Sequence, residues 1–298
     1  MNITLTGSLG HIGKPLATQL LDQGHQLTIV SSQPERAAAI NTLGATPATG
    51  HLQDIDFLTT AFSGADAVFT LAPPANYWDQ HLDLLAYFQE LGHAFAGAVR
   101  ASGVPRVVNL SSIGAHLESG NGILRGTHYV ERYLDELPAA VAVTHVRPTE
   151  IYYNLLPQVG AVKSQGVIAG NQAPDGWNSW VSPLDIAERV ATELTGKTTG
   201  RRVVYVASDE ATNDVLTRTL GAAVGKPDLK WVQISDTEMT GYLTSIGMQP
   251  AIAAQMTEMY AAIRSGVLYE DYRRQPVALG RVKVSDFAED FAAAYRSA

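Results

Sequence analysis

The sequence predicts an α/β fold, a doubly wound parallel sheet with a smaller, helix-rich C-terminal lobe. Three observations predict it. Short apolar runs alternate with helical segments through the first half of the 298 residues. Three glycines stand together at the first strand-to-helix turn. After about residue 148 the alternation loosens and helical segments dominate.

The strands come first. "NITLT" (2–6), "QLTIV" (26–30), "DAVFTLA" (66–72), "RVVNLSS" (106–112) and "AVAVTHV" (140–146) are near-continuous apolar runs, the pattern of strands covered on both faces. Helices are expected near 11–23, 34–42, 54–62, 79–102 and 126–136. In the longest, Leu82, Leu85, Phe88, Leu91, Phe95 and Val99 recur at helical spacing. Beyond 148, "VSPLDIAERVATEL" (181–194) predicts a helix with Pro183 near its start, and "GRRVVYVAS" (200–208) predicts a strand. Helices are expected over 208–225, 235–247 and 249–266, with Ser or Gln starts and Gly stops. This divides the chain into a doubly wound domain, 1–150, and a smaller substrate lobe, 151–298, of which about 181–208 returns to the first core. No linker separates them.

Composition narrows the function. Apolar residues make up 46% and charged residues 17%, a globular balance. The net charge of −8, without a run of Lys or Arg, argues against direct nucleic-acid binding. With no Cys, disulfides, thiolate catalysis and Cys-based metal centres are excluded. The eight His residues form no HxH or HxxxH pair, so no metal site is expected. No apolar run approaches the ~20 residues of a membrane helix. The N-terminus carries no basic leader. A cytoplasmic, non-membrane protein is expected, and nothing specifies its oligomeric state.

In "TGSLGHIG", Gly7, Gly10 and Gly13 sit where a predicted strand turns into a predicted helix. The first glycine allows the tight turn. The second lets a pyrophosphate approach the backbone, and the third lets helix and strand pack closely. Free N–H groups at the helix start suit an anion. A phosphate loop of the Gly-Lys-Ser/Thr kind is excluded, because Lys14 is out of frame. The ligand expected is a dinucleotide. The second strand ends "TIVSSQPERAAA", with no acid at its end to select NAD(H). Ser31, Ser32 and Arg36 could hold a 2′-phosphate, which favours NADP(H), with NAD(H) as the alternative. Glu35 complicates this, and Arg36 reads equally as a solvated helix charge.

"TGSLGHIG", "TLAPP" (70–74), "VPRVVNLSSIGA" (104–115), "THVRPTEIYYNLL" (144–156) and "VSPLDIAERV" (181–190), as an ordered set over about 190 residues, resemble the NmrA-like group of atypical short-chain dehydrogenases/reductases. That resemblance implies a Rossmann domain binding NADP(H) or NAD(H), with the C-terminal lobe closing a cleft over the nicotinamide. It implies that Gly7, Ser8, Leu9, Gly10, His11 and Ile12 contact the pyrophosphate, and that Ser31, Ser32 and Arg36 contact the adenosine end. Leu71, Ala72 and Pro73 would pass under the adenine-side ribose. Ser111 and Ser112 would lie near the nicotinamide, and Thr149, Glu150 and Ile151 near its carboxamide.

Short-chain dehydrogenases normally use a Tyr followed four residues later by a Lys. None of the six lysines, Lys14, Lys163, Lys197, Lys226, Lys230 and Lys283, has a Tyr at that spacing. The titratable groups nearest the expected position are His128 and Tyr129 in "RGTHYVERYL" (125–134), with Ser112 as a third candidate catalytic residue. His128, with a reference pKa of ~6.5, could donate a proton at neutral pH; its other reading is a polar residue partly facing solvent. Glu131 reads as salt-bridging or capping, and Asp185 as structural.

Tyr77, Trp78, Tyr152, Tyr153, Trp177 and Trp180 fall in segments flanking the expected cleft. They either face a flat apolar ligand or seal the contact between the lobes. "MTEMYAAI" (256–263) reads as core or an interface stripe. Two functions fit. The first is an NADPH-dependent oxidoreductase delivering hydride to a quinone-like or other flat electron-poor small molecule. The second is a non-catalytic redox sensor acting through a partner protein. Sugar-nucleotide epimerisation fails on the missing Tyr–Lys pair.

Overall fold

The computed structural model describes residues 1–275 and 277–298. Its first half winds through β1 (Asn2–Leu5), α1 (Gly13–Asp22), β2 (Gln26–Ser31), α2 (Arg36–Leu43), β3 (Thr46–Thr49) and α3 (Ile55–Phe62). It continues through β4 (Ala67–Leu71), α4 (Leu84–Ser102), β5 (Arg106–Leu110), α5 (Arg125–Asp135) and β6 (Ala142–Pro148). Then follow β7 (Glu150–Ile151), α6 (Val159–Gln165), β8 (Val167–Gly170), β9 (Trp177–Val181), α7 (Pro183–Thr195) and β10 (Arg201–Val206). The last elements are β11 (Asp209–Thr212), α8 (Asn213–Ala223), β12 (Lys230–Gln233), α9 (Asp236–Ser245), α10 (Pro250–Ser265) and α11 (Val284–Ser297).

Seven strands form one parallel sheet in the order β10-β6-β5-β4-β1-β2-β3. The apolar runs are continuous because successive side chains enter opposite layers. Phe69 and Val108 pack with Leu16, Leu20, Ile186 and Val190 of α1 and α7. Their neighbours Val68 and Val107 pack with Phe62, Leu91, Phe95 and Leu134 of α3, α4 and α5. The strand order reverses between β1 and β4, so the crevice beyond their carboxyl ends is where a ligand is expected. Helix starts are secured where the chain leaves a strand or loop. Asp54 caps α3 and Asp83 caps α4, while Ser182 caps α7 with Pro183 in its first turn.

The second lobe holds a three-stranded sheet, β11-β9-β7, and a pair, β12-β8. Its core stacks Tyr152 between Trp180 (6.3 Å) and Phe287 (5.1 Å). Helix α7 and strand β10 pack into the large sheet's core, alongside Val146 and Val204.

Three departures from the sequence reading have local causes. Strand β3 is a four-residue edge strand of mixed polarity, too short to show a period. The helix expected over 208–225 begins only at Asn213, capped by Thr212, because Asp209–Thr212 pairs antiparallel with β9. The C-terminal helix α11, not anticipated, buries Val284, Phe287 and Phe291. Among the described residues, no helix is long and apolar enough to cross a membrane.

Candidate functional site: a glycine loop and an apolar cavity

The glycine loop leaves β1 with Gly7 at φ +88° and Ser8 at φ +54°, a left-handed pair that turns the chain sharply. Each later glycine is explained by its surroundings. A Cβ on Gly13 would stand 2.1 Å from the Ser8 carbonyl oxygen, so only glycine permits that packing. At Gly10 a Cβ would meet nothing nearer than the Gly7 carbonyl oxygen at 3.7 Å, leaving open space before the backbone. Helix α1 starts without a side-chain cap; its Lys14 N–H is spent on the Gly10 carbonyl and Pro15 has none, so the N–H groups left to an anion are those of His11 and Ile12 in the loop ahead of it. The Ser8 hydroxyl is buried with no hydrogen-bond partner among the described residues. An uncapped helix, an open glycine and an orphaned hydroxyl fit a pyrophosphate.

Beyond the loop lies a cleft of about 720 Å³ that takes in Leu9, Gly10, His11, Lys14 and Arg36 on one side. Tyr152, Tyr153, Arg281, Asp286 and Asp290 close it from the second lobe. Arg36 is exposed and donates to the Gln33 side chain at 3.0 Å; among the described residues it has no ion-pair partner. Ser31 is buried, its hydroxyl accepting from the Gln33 N–H at 3.1 Å, and Ser32 is exposed. Ile12 packs into the sheet core, and a Cβ on Gly7 would stand 3.2 Å from the Leu71 side chain. Ala72 and Pro73 follow β4, and Pro73 accepts a hydrogen bond from the Tyr87 hydroxyl at 3.1 Å.

A second cavity, about 500 Å³, opens at the carboxyl ends of β5 and β6. Ser111, Ser112, Thr149, Glu150 and Ile151 form its sheet-side wall. Tyr77, Trp180, Met239, Met256, Met259 and Tyr260 supply much of its apolar lining. The sequence reading set Met256, Met259 and Tyr260 aside as core or interface, because spacing along a helix cannot say what the helix faces. Several polar atoms here lack partners among the described residues: the Ser111 and Thr149 hydroxyls, the Trp180 indole N–H and the Asn171 side-chain amide oxygen. Ser111 is turned toward Glu131 without completing a hydrogen bond. Below the sheet-side wall, Arg147 donates to both Glu131 oxygens (2.9 and 2.6 Å) and to Asp271 (3.1 Å), an ion cluster that fixes the end of β6.

Glu150 is recessed, and the surface it keeps faces the cavity it lines. Burial pushes its carboxyl up to about 7, opposed in part by a hydrogen bond from the Tyr269 hydroxyl at 2.8 Å. Burial and then the Glu150 carboxylate raise Tyr260 to about 12. Burial also raises Tyr77 and Tyr153.

The sequence candidates separate in space. Tyr77, Tyr153 and Ser112 line the cavity. Tyr152 is 1% exposed and lies in the lobe's core, reaching only the outer cleft. Trp78 is 51% exposed and donates to the Ile246 carbonyl at 3.1 Å. Trp177 packs edge-on against Tyr269 at 4.9 Å, with the Arg273 guanidinium over its ring at 5.0 Å. His128 donates from Nδ1 to the Ala115 carbonyl at 2.9 Å, and its ring meets Tyr129 edge-on. None of Trp78, Trp177, His128 and Tyr129 lines the cavity. Asp185 does what its sequence position suggested: it accepts from Ser208, Arg281 N–H and Val282 N–H, tying the start of α7 to the chain before α11.

The sequence model of the NAD(P)H-binding family matches residues 7–197. The fold is similar to that of a triphenylmethane reductase from Citrobacter sp., with a TM-score of 0.80 and 19% identity over 98% of this chain and 100% of that one. It is similar also to an NADPH-dependent quinone oxidoreductase from Escherichia coli, with a TM-score of 0.76 and 19% identity over 97% and 98%. A nucleoside-diphosphate-sugar epimerase from Staphylococcus aureus gives 0.75 and 17% over 97% and 100%. At such identities the likeness is one of fold. Among curated proteins, a stretch of 72 residues is 36% identical to an uncharacterised protein of Schizosaccharomyces pombe, covering 24% of each chain. A stretch of 71 residues is 32% identical to the decarboxylating sterol-4-alpha-carboxylate 3-dehydrogenase of Dictyostelium discoideum, covering 24% of this chain and 22% of that one. The chain thus spans about a quarter of the length of the curated relatives it matches. With its glycine loop, its seven-stranded sheet and a family match over residues 7–197, the chain belongs to the NAD(P)H-binding family.

Proposed function

We propose that this protein is an NADPH-dependent oxidoreductase that delivers hydride to a quinone-like or other flat, electron-poor acceptor. One observation carries the reading: an apolar cavity of about 500 Å³ opens beside Ser111 and Thr149, at the carboxyl ends of β5 and β6. A dinucleotide whose pyrophosphate lies on Gly7–Ile12 extends its nicotinamide toward those strand ends. Its adenosine end runs toward Ser31, Ser32 and Arg36, with Leu71, Ala72 and Pro73 alongside. The bound cofactor supplies the hydride; the residues of this chain orient it, exclude water and handle the proton.

The methionine and aromatic wall suits a flat ring, since thioethers adapt to such surfaces. Tyr77, Tyr153 and Trp180 face that ring in this reading, and residues 151–298 act as the acceptor-binding lobe of a cytoplasmic protein. Hydride delivery to a quinone needs no base to remove a hydroxyl proton, so it tolerates the missing Tyr–Lys pair. Ser112 is the one sequence-proposed catalytic residue on the wall, and His128 and Tyr129 act from behind it.

The test is NADPH consumption, followed by absorbance, with a panel of quinones, triphenylmethane dyes and activated carbonyls. Turnover with a flat acceptor is expected. Tight NADPH binding with no acceptor reduced would overturn the reading in favour of a dinucleotide sensor.

A further inference from the structure

We propose that Glu150 is a catalytic residue, the proton donor to the acceptor as it is reduced. This rests on the reading above, in which the cavity holds a quinone-like ring beside the nicotinamide. The resemblance to the NmrA-like group places Glu150 only against the carboxamide. Its surroundings here suit a second task.

The position comes first. Glu150 directly follows Thr149 at the end of β6, on the wall where the reacting end of a dinucleotide falls. Its orientation is fixed from one side. The Ser179 N–H donates to the Tyr269 hydroxyl at 3.2 Å, so that hydroxyl points its own proton at Glu150 Oε1, 2.8 Å away. Among the described residues Oε2 accepts no hydrogen bond, and it is not among the buried polar atoms lacking a partner. That leaves Oε2 facing the cavity.

The charges around it keep the proton in place. The titratable groups facing Glu150 are Tyr269, from the turn after α10, and Tyr260, on α10 itself. The Glu210 carboxylate of β11 is taken by the Tyr272 hydroxyl at 2.7 Å, and Arg147 is taken by Glu131 and Asp271. Among the described residues no cation is paired to it, and a recessed carboxyl then favours its neutral form. The other hydroxyls on the wall are far weaker acids. Tyr260 is raised to about 12, and Tyr77 and Tyr153 are raised as well.

The step balances. The hydride brings two electrons to the acceptor, leaving an oxyanion. The O–H bond of Glu150 breaks as a new O–H forms on that oxygen, giving the hydroquinone. The Glu150 carboxylate then takes a proton from water, so one NADPH and one solvent proton are consumed per quinone.

Two readouts test this. Infrared difference titration of the protein from pH 5 to 9 should show a protonated-carboxyl band lost with a midpoint near 7 and absent in Glu150→Gln. In Tyr269→Phe the midpoint should rise, because the bond favouring the carboxylate is gone. Turnover of a 1,4-naphthoquinone should fall with rising pH above about 7 in the parent. Glu150→Gln should lower kcat about 10²-fold at pH 6, flatten the pH profile and leave KM nearly unchanged. A band midpoint below pH 5, or a Glu150→Gln enzyme that keeps the parent's pH profile, overturns the donor role while the reductase reading stands. A parent that binds NADPH but reduces no quinone overturns both.

Discussion

The imidazole of His11 stacks on the ring of Tyr153, with centroids 4.3 Å apart and planes 25° from parallel. His11 belongs to the glycine loop, and Tyr153 lines both the outer cleft and the inner cavity. The stack therefore ties the phosphate loop to the second lobe at the boundary between the two spaces. An aromatic pair of this kind contributes about 0.5–1.5 kcal/mol beyond its buried area. A double-mutant cycle of His11→Ala and Tyr153→Leu, followed by urea unfolding, should return a coupling of that size. Additive effects would mean that the lobes are held by other contacts.

Gly10 and Gly13 should fail in different ways. At Gly13 a Cβ collides with the Ser8 carbonyl oxygen, so Gly13→Ala strains the fold itself. We expect a loss of about 1–3 kcal/mol in unfolding free energy, the usual cost of overpacking. Gly10 has room, so Gly10→Val should fold with a near-parental melting temperature yet bind neither NADPH nor NADH. Cofactor titration by fluorescence together with thermal melts separates the two. A Gly10→Val protein that binds normally would make this loop a packing turn only.

Arg36 has no ion-pair partner among the described residues and faces the outer cleft with Lys14. A hydrogen bond to a charged group contributes about 1.5–3 kcal/mol, roughly 10- to 100-fold in affinity. Arg36→Ala should weaken NADPH by that factor and NADH by less than about twofold. Equal losses for both cofactors would remove the 2′-phosphate from this site.

The doubly wound half was legible because its signals are local. Glycine spacing fixes the loop, and the apolar runs at 26–30 and 106–112 are long enough to read as strands without knowing their partners. What escaped depends on contacts distant in sequence. Trp177 and Trp180 are three residues apart in one strand, yet only Trp180 lines the cavity, because the β9–β7 pairing sets which face each presents. Glu150 reads in sequence as one acid among twenty-nine Asp and Glu residues. Its character comes from burial, and its orientation from Tyr269, 119 residues later. His128 is a candidate in sequence from its residue type, and its partner, the Ala115 carbonyl, carries no side-chain signal at all.

Two recessed carboxyls, Glu131 and Glu150, should respond to pH in opposite directions. Burial would raise Glu131, but the paired hydrogen bonds and charge of Arg147 overcome that and hold it below its ordinary 4.5. A depressed carboxyl adds stability above its unfolded pKa, and the gain is lost as pH falls through the folded value. Glu150 is the reverse case, raised from 4.5 to about 7. Its native state binds the proton more tightly than the unfolded chain, so its contribution is whole below about 4.5 and disappears as pH rises toward 7. Glu131→Gln should therefore cost about 3–5 kcal/mol at pH 8, because Arg147 loses its buried partner. Glu150→Gln should leave stability at pH 4.5 nearly unchanged and raise it at pH 8, by at most ~3 kcal/mol. Urea unfolding at the two pH values measures both. A Glu150→Gln effect of the same sign and size at pH 4.5 and pH 8 would show that Glu150 does not titrate between them.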